Sequence, residues 1–404
     1  MGDMLRIGIV GAGAVVREKH IPGFRALPGV RVEGVCNLRR ESSNRVAREC
    51  DIPHIFASWE ALVEDDSIDA VLIGTWPSMH CPITLAALDA GKHVLTQARM
   101  AMNAREAQRM FDKSHENPHL VAMIAPSPYG LIGEAYVRSL LDEGILGDLR
   151  EVHVAGLSSA LADPKTPLSW RQVTKYSGFN MLNLGILYES VLRWVAPANR
   201  VSAFASKLVP TRKDPETDKS VRVGTPDSVQ VLTGQEDGSV GIYRFSGVVR
   251  HGAEMSVTLY GSEGTLRYDF ARDELSVAGK HDPQLLPRPI PNATRGGWNV
   301  EAEFVGAIRG DNLVTHTSFL TGVRYMQFTE AVAPLVAAPA AGGAAAARVL
   351  EPEPVSAVCV WIRRWIGPNS GTRNPLQHPS TNQIDIRHTL GLRHSLHGLQ
   401  LAEF

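Results

Sequence analysis

Residues 5–21, LRIGIVGAGAVVREKHI, constrain the fold more than any other stretch of this chain. An apolar segment of strand character runs directly into a Gly-Ala-Gly turn, and polar residues at helical spacing follow. A strand, a tight glycine turn and a helix N-terminus form the context in which a G-x-G-x-x-[GA] pattern indicates dinucleotide binding. The alternative is a structural turn between a strand and a helix, beside an empty cleft.

The glycine turn assigns separate roles to its small residues. Gly11 is predicted to make the tight turn, and Gly13 to let the backbone approach a pyrophosphate that lies on the helix N-terminus. The third small position of the pattern is occupied by Val16, which suggests looser packing of the helix on the strand. The predicted cofactor contacts in this segment are Gly11, Gly13, Ala14, Val15 and Val16.

Length and composition limit the class of protein. A chain of 404 residues is long for one core, so two domains are expected. The net charge of −1 favours neither nucleic acid nor an anionic membrane, and no apolar run is long enough to span a membrane. The four cysteines have no paired spacing, which predicts reduced thiols, no metal site and a cytoplasmic protein. The first strand stands at the N-terminus, so no signal peptide is expected.

The end of the second predicted strand, residues 30–36, bears on the choice between NAD and NADP. In NAD-binding units an acidic residue at this position accepts the ribose 2′-hydroxyl. Here the position holds the neutral Asn37, and Arg39 and Arg40 follow at once. Because guanidinium groups pair well with phosphate, the sequence predicts NADP, with NAD possible. The alternative is that both arginines are simply solvated at a helix start.

Further strand and helix units follow, with buried strands predicted at residues 70–74 and 92–95. Since ligands bind at the carboxyl ends of strands in open parallel sheets, the loops after these two strands should line the cofactor cleft. The predicted cleft residues are Thr75, Trp76, Pro77, His80, Gln97, Ala98 and Arg99. The first domain is predicted to span residues 1–125.

The remaining sequence predicts a second domain and a tail. Residues 126–336 alternate strand-like stretches with loops, typical of an α+β domain with an open, mostly antiparallel sheet. Helical segments are predicted at residues 178–194 and 300–309, the later one returning toward the first domain. Residues 337–404 begin with AAPAAGGAAAA and predict a low-complexity linker and a disordered tail. The predicted fold class is α/β, a Rossmann domain followed by an α+β domain.

Several ordered motifs resemble those of the Gfo/Idh/MocA oxidoreductases, the group of glucose–fructose oxidoreductase and inositol dehydrogenase. They are VGAGAVV, TWPSMH, GKHVLTQARMAMN, GILGDLREVHV, GFNMLNLGILYESVLRW, LYGSEGTLRYD and EAEFVGAIRG, within residues 4–335. The resemblance implies tightly held NAD(P) and reversible hydride transfer at a carbon of a sugar, polyol or related compound. It also implies a small-molecule substrate and a homo-oligomer, a dimer or tetramer formed through the open sheet.

The chain departs from this family where the family carries its chemistry. The family's E-K-P segment falls on Gln97, Ala98 and Arg99, so its lysine is replaced by alanine. In its D-x-G-x-H segment, the aspartate position holds Asn183 and the histidine position holds Leu187. Because alanine and leucine cannot transfer a proton, the resemblance predicts an altered proton relay.

Four residues remain as candidates for catalysis. Tyr188 is the best remaining proton carrier on its helix, but its phenol needs a nearby cation to act at neutral pH. Arg99 could supply that cation, bind a carboxylate or polarise a carbonyl. His80 could act as a general acid or base, and Lys175 could replace the missing ammonium group. The alternatives are a half-buried Tyr188, a surface Arg99 and a His80 that only holds a loop.

Candidate substrate contacts lie in the second domain. Trp170 and Arg171 could stack on and grip a sugar-like ring, or they could belong to an ordered surface loop. Asn180 and Asn183 fit hydroxyl recognition or helix capping, with Leu187 beside them. Three functions stay open at this point: an oxidoreductase of a sugar, cyclitol or related hydroxy compound; a nicotinamide-holding lyase or glycoside-cleaving enzyme without net redox change; and a non-catalytic cofactor-binding protein.

Overall fold

The structure is a computed structural model that describes residues 4–337 and 347–349. Most of the predicted linker and tail, residues 338–346 and 350–404, lies outside the described residues.

The N-terminal part is built on a six-stranded parallel sheet with the order β3-β2-β1-β4-β5-β6. Its strands are β1 (Leu5–Val10), β2 (Val30–Cys36), β3 (His54–Ile55), β4 (Ala70–Ile73), β5 (His93–Thr96) and β6 (Ala122–Ile124). Its helices are α1 (Ile21–Arg25), which continues a π-helical turn at Val16–His20, α2 (Arg40–Glu49), α3 (Trp59–Glu64), α4 (Pro77–Asp89) and α5 (Ala104–Glu116). The strand order reverses between β1 and β4, which is where dinucleotides bind in this topology.

Burial of β4 explains its continuous apolar sequence. Ala70 and Leu72 pack on one face of the sheet, together with Ile7 and Ile9. The alternate residues of β4, at 71 and 73, pack on the opposite face against the helices of the other layer. A parallel strand covered by helices on both faces must be apolar at every position, and all four residues of β4 are fully buried.

The C-terminal part holds a nine-stranded sheet with the order β16-β15-β14-β13-β7-β12-β11-β8-β17, and a separate two-stranded hairpin of β9 and β10. Its pairs are antiparallel except that between β7 and β12. The elements are α6 (Glu134–Asp142), β7 (Leu149–Leu157), α7 (Thr174–Ser177), α8 (Leu184–Leu192), β8 (Ala198–Ser206), β9 (Thr211–Lys213), β10 (Ser220–Arg222), β11 (Ser228–Gln235), β12 (Val240–Ser246), β13 (Glu254–Gly261), β14 (Gly264–Asp269), β15 (Glu274–Gly279), β16 (Leu286–Pro287), α9 (Val300–Arg309), α10 (Phe319–Ala337) and β17 (Ala347–Val349). The predicted fold class, a Rossmann domain followed by a domain with a mostly antiparallel sheet, is confirmed.

The two faces of the large sheet differ in what covers them. One face packs on α8 and α10 around aromatic rings that include Tyr188, Tyr243 and Phe328. The other face exposes large apolar side chains from neighbouring strands, namely Phe204, Leu232, Val240, Ile242 and Tyr260.

Two helices differ from the sequence prediction. The segment predicted to be helical from residue 178 becomes a helix only at Leu184, because Gly178 and Leu182 adopt left-handed backbone angles, with φ of 61° and 46°. The long helix α10 was not predicted at all. The late helix α9 packs Phe304 and Val305 into the core beneath the N-terminal sheet.

No helix in the described part of the chain is both long and apolar enough to cross a membrane.

Candidate cofactor and substrate site

The glycine turn after β1 leaves its backbone open to a ligand. Gly11 has a φ of 88°, and a Cβ placed there would lie 2.7 Å from the backbone nitrogen of Thr75. A Cβ at Gly13 would meet no heavy atom within 4 Å among the described residues. Ala14 and Val15 beside it are exposed. The first N–H groups of a helix have no partner within the helix, so this surface fits the pyrophosphate of a dinucleotide.

Val16 is tightly packed, and the prediction of looser packing is wrong. Its side chain is 1% exposed. A Cβ at Gly74, directly after β4, would lie 2.4 Å from Val16 Cγ2 and 2.3 Å from the carbonyl oxygen of Gly11. The close approach that a small third residue usually allows is therefore provided by Gly74 on the neighbouring strand.

Asn37 holds the glycine turn from the end of β2. Its Oδ1 accepts a hydrogen bond of 2.7 Å from the backbone N–H of Ala12, and its Nδ2 donates to Ser42 Oγ at 3.1 Å. The Asn37 backbone N–H donates to Ser43 Oγ at 2.9 Å. The amide oxygen of Asn37 thus accepts the hydrogen bond that a carboxylate oxygen at this position would also accept. The glycine turn can therefore keep its shape with a neutral residue at position 37.

Both arginines predicted for a 2′-phosphate have protein partners. Arg39 is exposed and lies 3.1 Å from a carboxylate oxygen of Glu216, in the loop between β9 and β10. Arg40 donates to the carbonyl oxygen of Ile55 at 3.3 Å. Leu38 directly precedes the two arginines in the sequence, shortly after β2, and its side chain is 87% exposed. Sequence reasoning missed Leu38, although a large apolar residue inside a polar turn is a detectable signal.

The loop after β4 begins with two partly exposed residues, Thr75 and Trp76. Thr75 Oγ1 donates to the Trp76 carbonyl oxygen at 3.2 Å, and Pro77 starts α4 as its buried first residue. Proline suits that position because the N–H it lacks would have no partner in the helix.

His80 joins the loops after β4 and β5 and is not available as a general acid or base. It is 1% exposed, with Nδ1 at 2.9 Å from the carbonyl oxygen of Arg99 and Nε2 at 3.1 Å from that of Thr75. Burial lowers the pKa of His80, whereas the carbonyl oxygens that face its two ring nitrogens oppose this shift. Both ring nitrogens face protein carbonyls, which corrects the catalytic prediction: His80 holds the two loops together.

Gln97 connects the loop after β5 to α9. Its side chain contacts His20 Nε2, and His20 Nδ1 lies 2.6 Å from Glu301 Oε1. Trp298 Nε1 also lies 3.1 Å from the carboxylate oxygens of Glu301. Gln97, which stands where the resemblance implies a glutamate, is therefore part of a polar network with His20 and Glu301.

The loop at residues 97–102, called the β5 loop, presents Ala98 and Arg99 to the second domain. Their peptide bond is cis. Arg99 is 7% exposed, and its guanidinium donates to the carbonyl oxygen of Leu182. Its Nε has no hydrogen-bond partner among the described residues. Burial, helped by the charge of Arg171, lowers the pKa of Arg99 to about 10, so the group stays protonated at neutral pH.

The loop at residues 178–183 lies along the β5 loop. Asn180, which is 3% exposed, donates through Nδ2 to Ala101 O at 2.8 Å and to Ser177 O at 2.7 Å. These bonds join the two loops through Nδ2, while Asn180 Oδ1 has no hydrogen-bond partner among the described residues, so its recognition of substrate hydroxyls stays a prediction. Asn183 is half-buried and stands at the start of α8.

Aromatic side chains from both domains meet beside these loops. Trp76 has its ring centre 4.2 Å from that of Tyr176 and 6.5 Å from that of Trp170. Arg171 lies over the Trp170 ring, 4.4 Å from its centre. The exposed Lys175 places its ammonium 5.8 Å from the Tyr176 ring centre. The structure thereby brings the predicted cleft residue Trp76 together with the predicted substrate residues, and adds Tyr176.

Tyr188 and Leu187 lie in the core, so their predicted site roles are wrong. Tyr188 is 1% exposed, stacks on Phe328 with ring centres 3.8 Å apart, and accepts a 2.8 Å hydrogen bond from the Ala198 N–H. Burial raises the pKa of this phenol, which makes it a poorer base. Leu187 is fully buried against Gly156, where a Cβ would lie 2.8 Å from its Cδ1.

Comparison with known families agrees with this architecture. Residues 5–124 match the model of the oxidoreductase family with an NAD-binding Rossmann fold, and residues 135–267 match the GFO/IDH/MocA C-terminal domain. The chain belongs to the Gfo/Idh/MocA oxidoreductase family. The resemblance, the class of enzyme and the nicotinamide dinucleotide-binding type of the first domain are confirmed.

Particular relatives are dehydrogenases. Levoglucosan dehydrogenase of Pseudarthrobacter phenanthrenivorans is 25% identical over 304 residues, covering 69% of this chain and 77% of the relative. Trans-1,2-dihydrobenzene-1,2-diol dehydrogenase of Bos taurus is 28% identical over 311 residues, covering 74% and 87%. Among solved structures, levoglucosan dehydrogenase in complex with NADH and levoglucosan has a TM-score of 0.72 at 22% identity, covering 81% of this chain and 96% of that one. An oxidoreductase domain protein from Kribbella flavida has a TM-score of 0.73 at 22% identity, covering 82% and 96%. These structures support the fold.

Proposed function

We propose that this chain is an NAD(P)-dependent dehydrogenase that acts on a hydroxyl group, or in reverse on a ketone, of a sugar, cyclitol or related small molecule. The observation that carries the proposal is the open backbone at Gly13, next to a loop that presents Arg99 from the end of a parallel strand. Relatives named levoglucosan dehydrogenase and inositol 2-dehydrogenase support the substrate class.

The cofactor would lie across the carboxyl ends of β1, β2 and β4. Gly13, Ala14 and Val15 offer the surface for its pyrophosphate, and the exposed Leu38 offers an apolar contact for its adenine ring. A bound nicotinamide supplies or accepts the hydride. Arg39 favours a 2′-phosphate, whereas Glu216 beside it opposes one and could accept hydrogen bonds from a free ribose hydroxyl. Both NADP and NAD therefore stay within the proposal.

The proton relay differs from that implied by the family motifs. Ala98 and Leu187 carry no ionisable group, and the buried Arg99 keeps its proton at neutral pH. Among the predicted candidates, Lys175 is the exposed ammonium beside the aromatic group of Trp76 and Tyr176. We assign to Lys175 the exchange of the substrate proton with solvent, and to Arg99 a contact with the substrate.

The cofactor assignment is tested by blocking the glycine turn. Gly13→Leu should leave stability unchanged because its side chain meets open space, but it should weaken NAD(P)H binding at least about tenfold by occupying the pyrophosphate surface. The matched control is Gly297→Leu, at a second exposed glycine with no heavy atom near its Cβ among the described residues. Fluorescence titration with NADH and NADPH measures both variants. Equal affinities in wild type and Gly13→Leu would refute the cofactor site.

Catalysis is tested by absorbance at 340 nm with a panel of sugars, inositols and uronates. A net change in absorbance with one substrate class supports the dehydrogenase. Product formation at constant absorbance would instead indicate a lyase or glycoside-cleaving enzyme, and binding of cofactor without turnover of any compound would indicate a binding protein.

We also propose that the exposed face of the large sheet forms the contact of a homo-oligomer. Phe204, Leu232 and Ile242 lie on adjacent strands of this face and are 64%, 58% and 36% exposed. Several large exposed apolar side chains on one face of a sheet are typical of a protein interface. Phe204→Glu should shift the species seen by light scattering toward the monomer, and an unchanged mass would contradict the interface.

The described cysteines support a reducing compartment such as the cytoplasm. Cys36, Cys50 and Cys81 are free thiols, and two of them are buried. Secreted proteins of an oxidising compartment more often pair their cysteines in disulfides. Fractionation of the source cells, with detection of the chain in the soluble or the exported fraction, tests this location.

A further inference from the structure

Arg99 is a buried cation that has no ion-pair partner among the described residues. Its side chain is 7% exposed, one Nη donates to a carbonyl oxygen, and its Nε has no partner in the described part of the chain. A buried guanidinium in this state is costly, because burial removes its hydration and nothing of opposite charge replaces it.

A second guanidinium adds to the same charge. Arg171 lies near enough for its charge to lower the pKa of Arg99, and it is held over the Trp170 ring at 4.4 Å from the ring centre. Arg171 likewise forms no ion pair with a carboxylate among the described residues. Arg171 is itself exposed, so it adds positive charge at the surface near the buried Arg99.

Rigid neighbours hold Arg99 in place. The β5 loop is fixed through His80 on one side and through Asn180 on the other, and the Met100 N–H donates to the buried Tyr325 hydroxyl. Gly185 on α8 approaches Arg99 Cγ, where a Cβ would lie 4.0 Å away. Because these contacts fix the loop, the guanidinium has little freedom to turn out into water and recover its hydration.

We propose that Arg99 and Arg171 bind the carboxylate of the substrate, so that the enzyme acts on hydroxy acids of the sugar type, such as uronates or aldonates. The proposal rests on the proposed function and names its substrate class. A carboxylate forms strong charge-assisted hydrogen bonds with guanidinium groups, and the unpaired Nε of Arg99 is a donor that can make one of them.

The phosphates of the cofactor are the other anions that could approach. Arg99 follows β5 and contacts the loop that leads into α8, whereas the pyrophosphate surface lies on the turn after β1. The substrate is therefore the source that the placement of Arg99 favours, and the experiment separates the two.

Binding is measured by calorimetry on the full chain saturated with NADH, using sodium glucuronate and sodium gluconate against glucose. The carboxylates should bind wild type at least about tenfold more tightly than glucose. Arg99→Gln and Arg171→Gln should each weaken carboxylate binding by about 10- to 100-fold, and Arg99→Lys should restore part of it. The matched control is Arg150→Gln, an exposed arginine on β7, which should behave as wild type.

The outcomes distinguish this proposal from the proposed function. Equal affinity of wild type for glucuronate, gluconate and glucose would overturn the anion site even if sugars are turned over. A loss of NADH affinity in Arg99→Gln equal to its loss of carboxylate affinity would assign the anion to the cofactor, and would also overturn it. Carboxylate binding that depends on Arg99 but gives no change at 340 nm would support the site and count against the dehydrogenase. Urea unfolding of each variant confirms that it is folded.

Discussion

The substitution Tyr188→Phe tests whether Tyr188 is a proton carrier, as its position in the motif predicts, or a core residue, as its packing indicates. In Tyr188→Phe the ring stays stacked on Phe328, and only the hydroxyl that accepts from the Ala198 N–H at 2.8 Å is lost. The N–H is then buried without an acceptor, which costs about 1–3 kcal/mol in the free energy of unfolding. Because the hydroxyl reaches no cleft, kcat and KM should stay within about twofold of wild type.

Urea unfolding and steady-state kinetics on the same preparation measure both effects. The matched control is Tyr243→Phe, another fully buried tyrosine, whose hydroxyl accepts from Gln235 Nε2 at 3.2 Å. Its cost should be smaller, because a side-chain amide can reorient whereas a backbone N–H in a strand cannot. A fall in kcat of more than about tenfold in Tyr188→Phe at unchanged stability, with one limb of the pH profile lost, would refute the core assignment and restore Tyr188 as a proton carrier.

Three further predictions concern the cofactor site and the core. Glu216→Gln should raise the ratio of NADPH to NADH affinity several-fold, because it frees Arg39 for a 2′-phosphate; an unchanged ratio would show that the hairpin has no part in cofactor choice. Burial lowers the pKa of His316, but its hydrogen bond to Glu303 outweighs burial and raises the pKa above 6.5, so its contribution is complete below pH 6.5 and is lost as the pH rises through the folded-state pKa. His316→Gln should therefore flatten the decline of the free energy of unfolding on the alkaline side of pH 6.5, and a parallel decline in both proteins would contradict this. Gly74→Ala should cost about 1–3 kcal/mol and weaken cofactor binding, because its Cβ would lie 2.3 Å from a carbonyl oxygen of the glycine turn; a fully stable variant with normal affinity would refute the steric argument.

The fold was predictable because its signals are local. The apolar run of β4 and the glycine turn after β1 are each visible in a few consecutive residues. The helix α10 was missed because its apolar residues are spread around most of its surface, which leaves no clear polar face at helical spacing.

The candidate site was less predictable because its contacts join distant segments. Arg39 and Glu216 are 177 residues apart, so nothing near Arg39 indicated that it has a partner. The role of Tyr188 depends on which side of α8 faces the large sheet, and the residues that form this contact lie far away in the sequence. Motif position alone could not supply either fact.

Gly74 and Val16 also bear on how such chains are recognised and redesigned. The two residues share one small volume between a strand and the first helix, so the size of either limits the size of the other. A search that demands a small third residue in the glycine pattern would reject this chain, although its first helix packs as closely as the pattern requires. The constraint is better written as a requirement for glycine after the neighbouring strand whenever the third position of the turn is large. A variant with glycine at position 16 and a larger residue at position 74 would not be equivalent. The larger residue at position 74 would still clash with the carbonyl oxygen of Gly11.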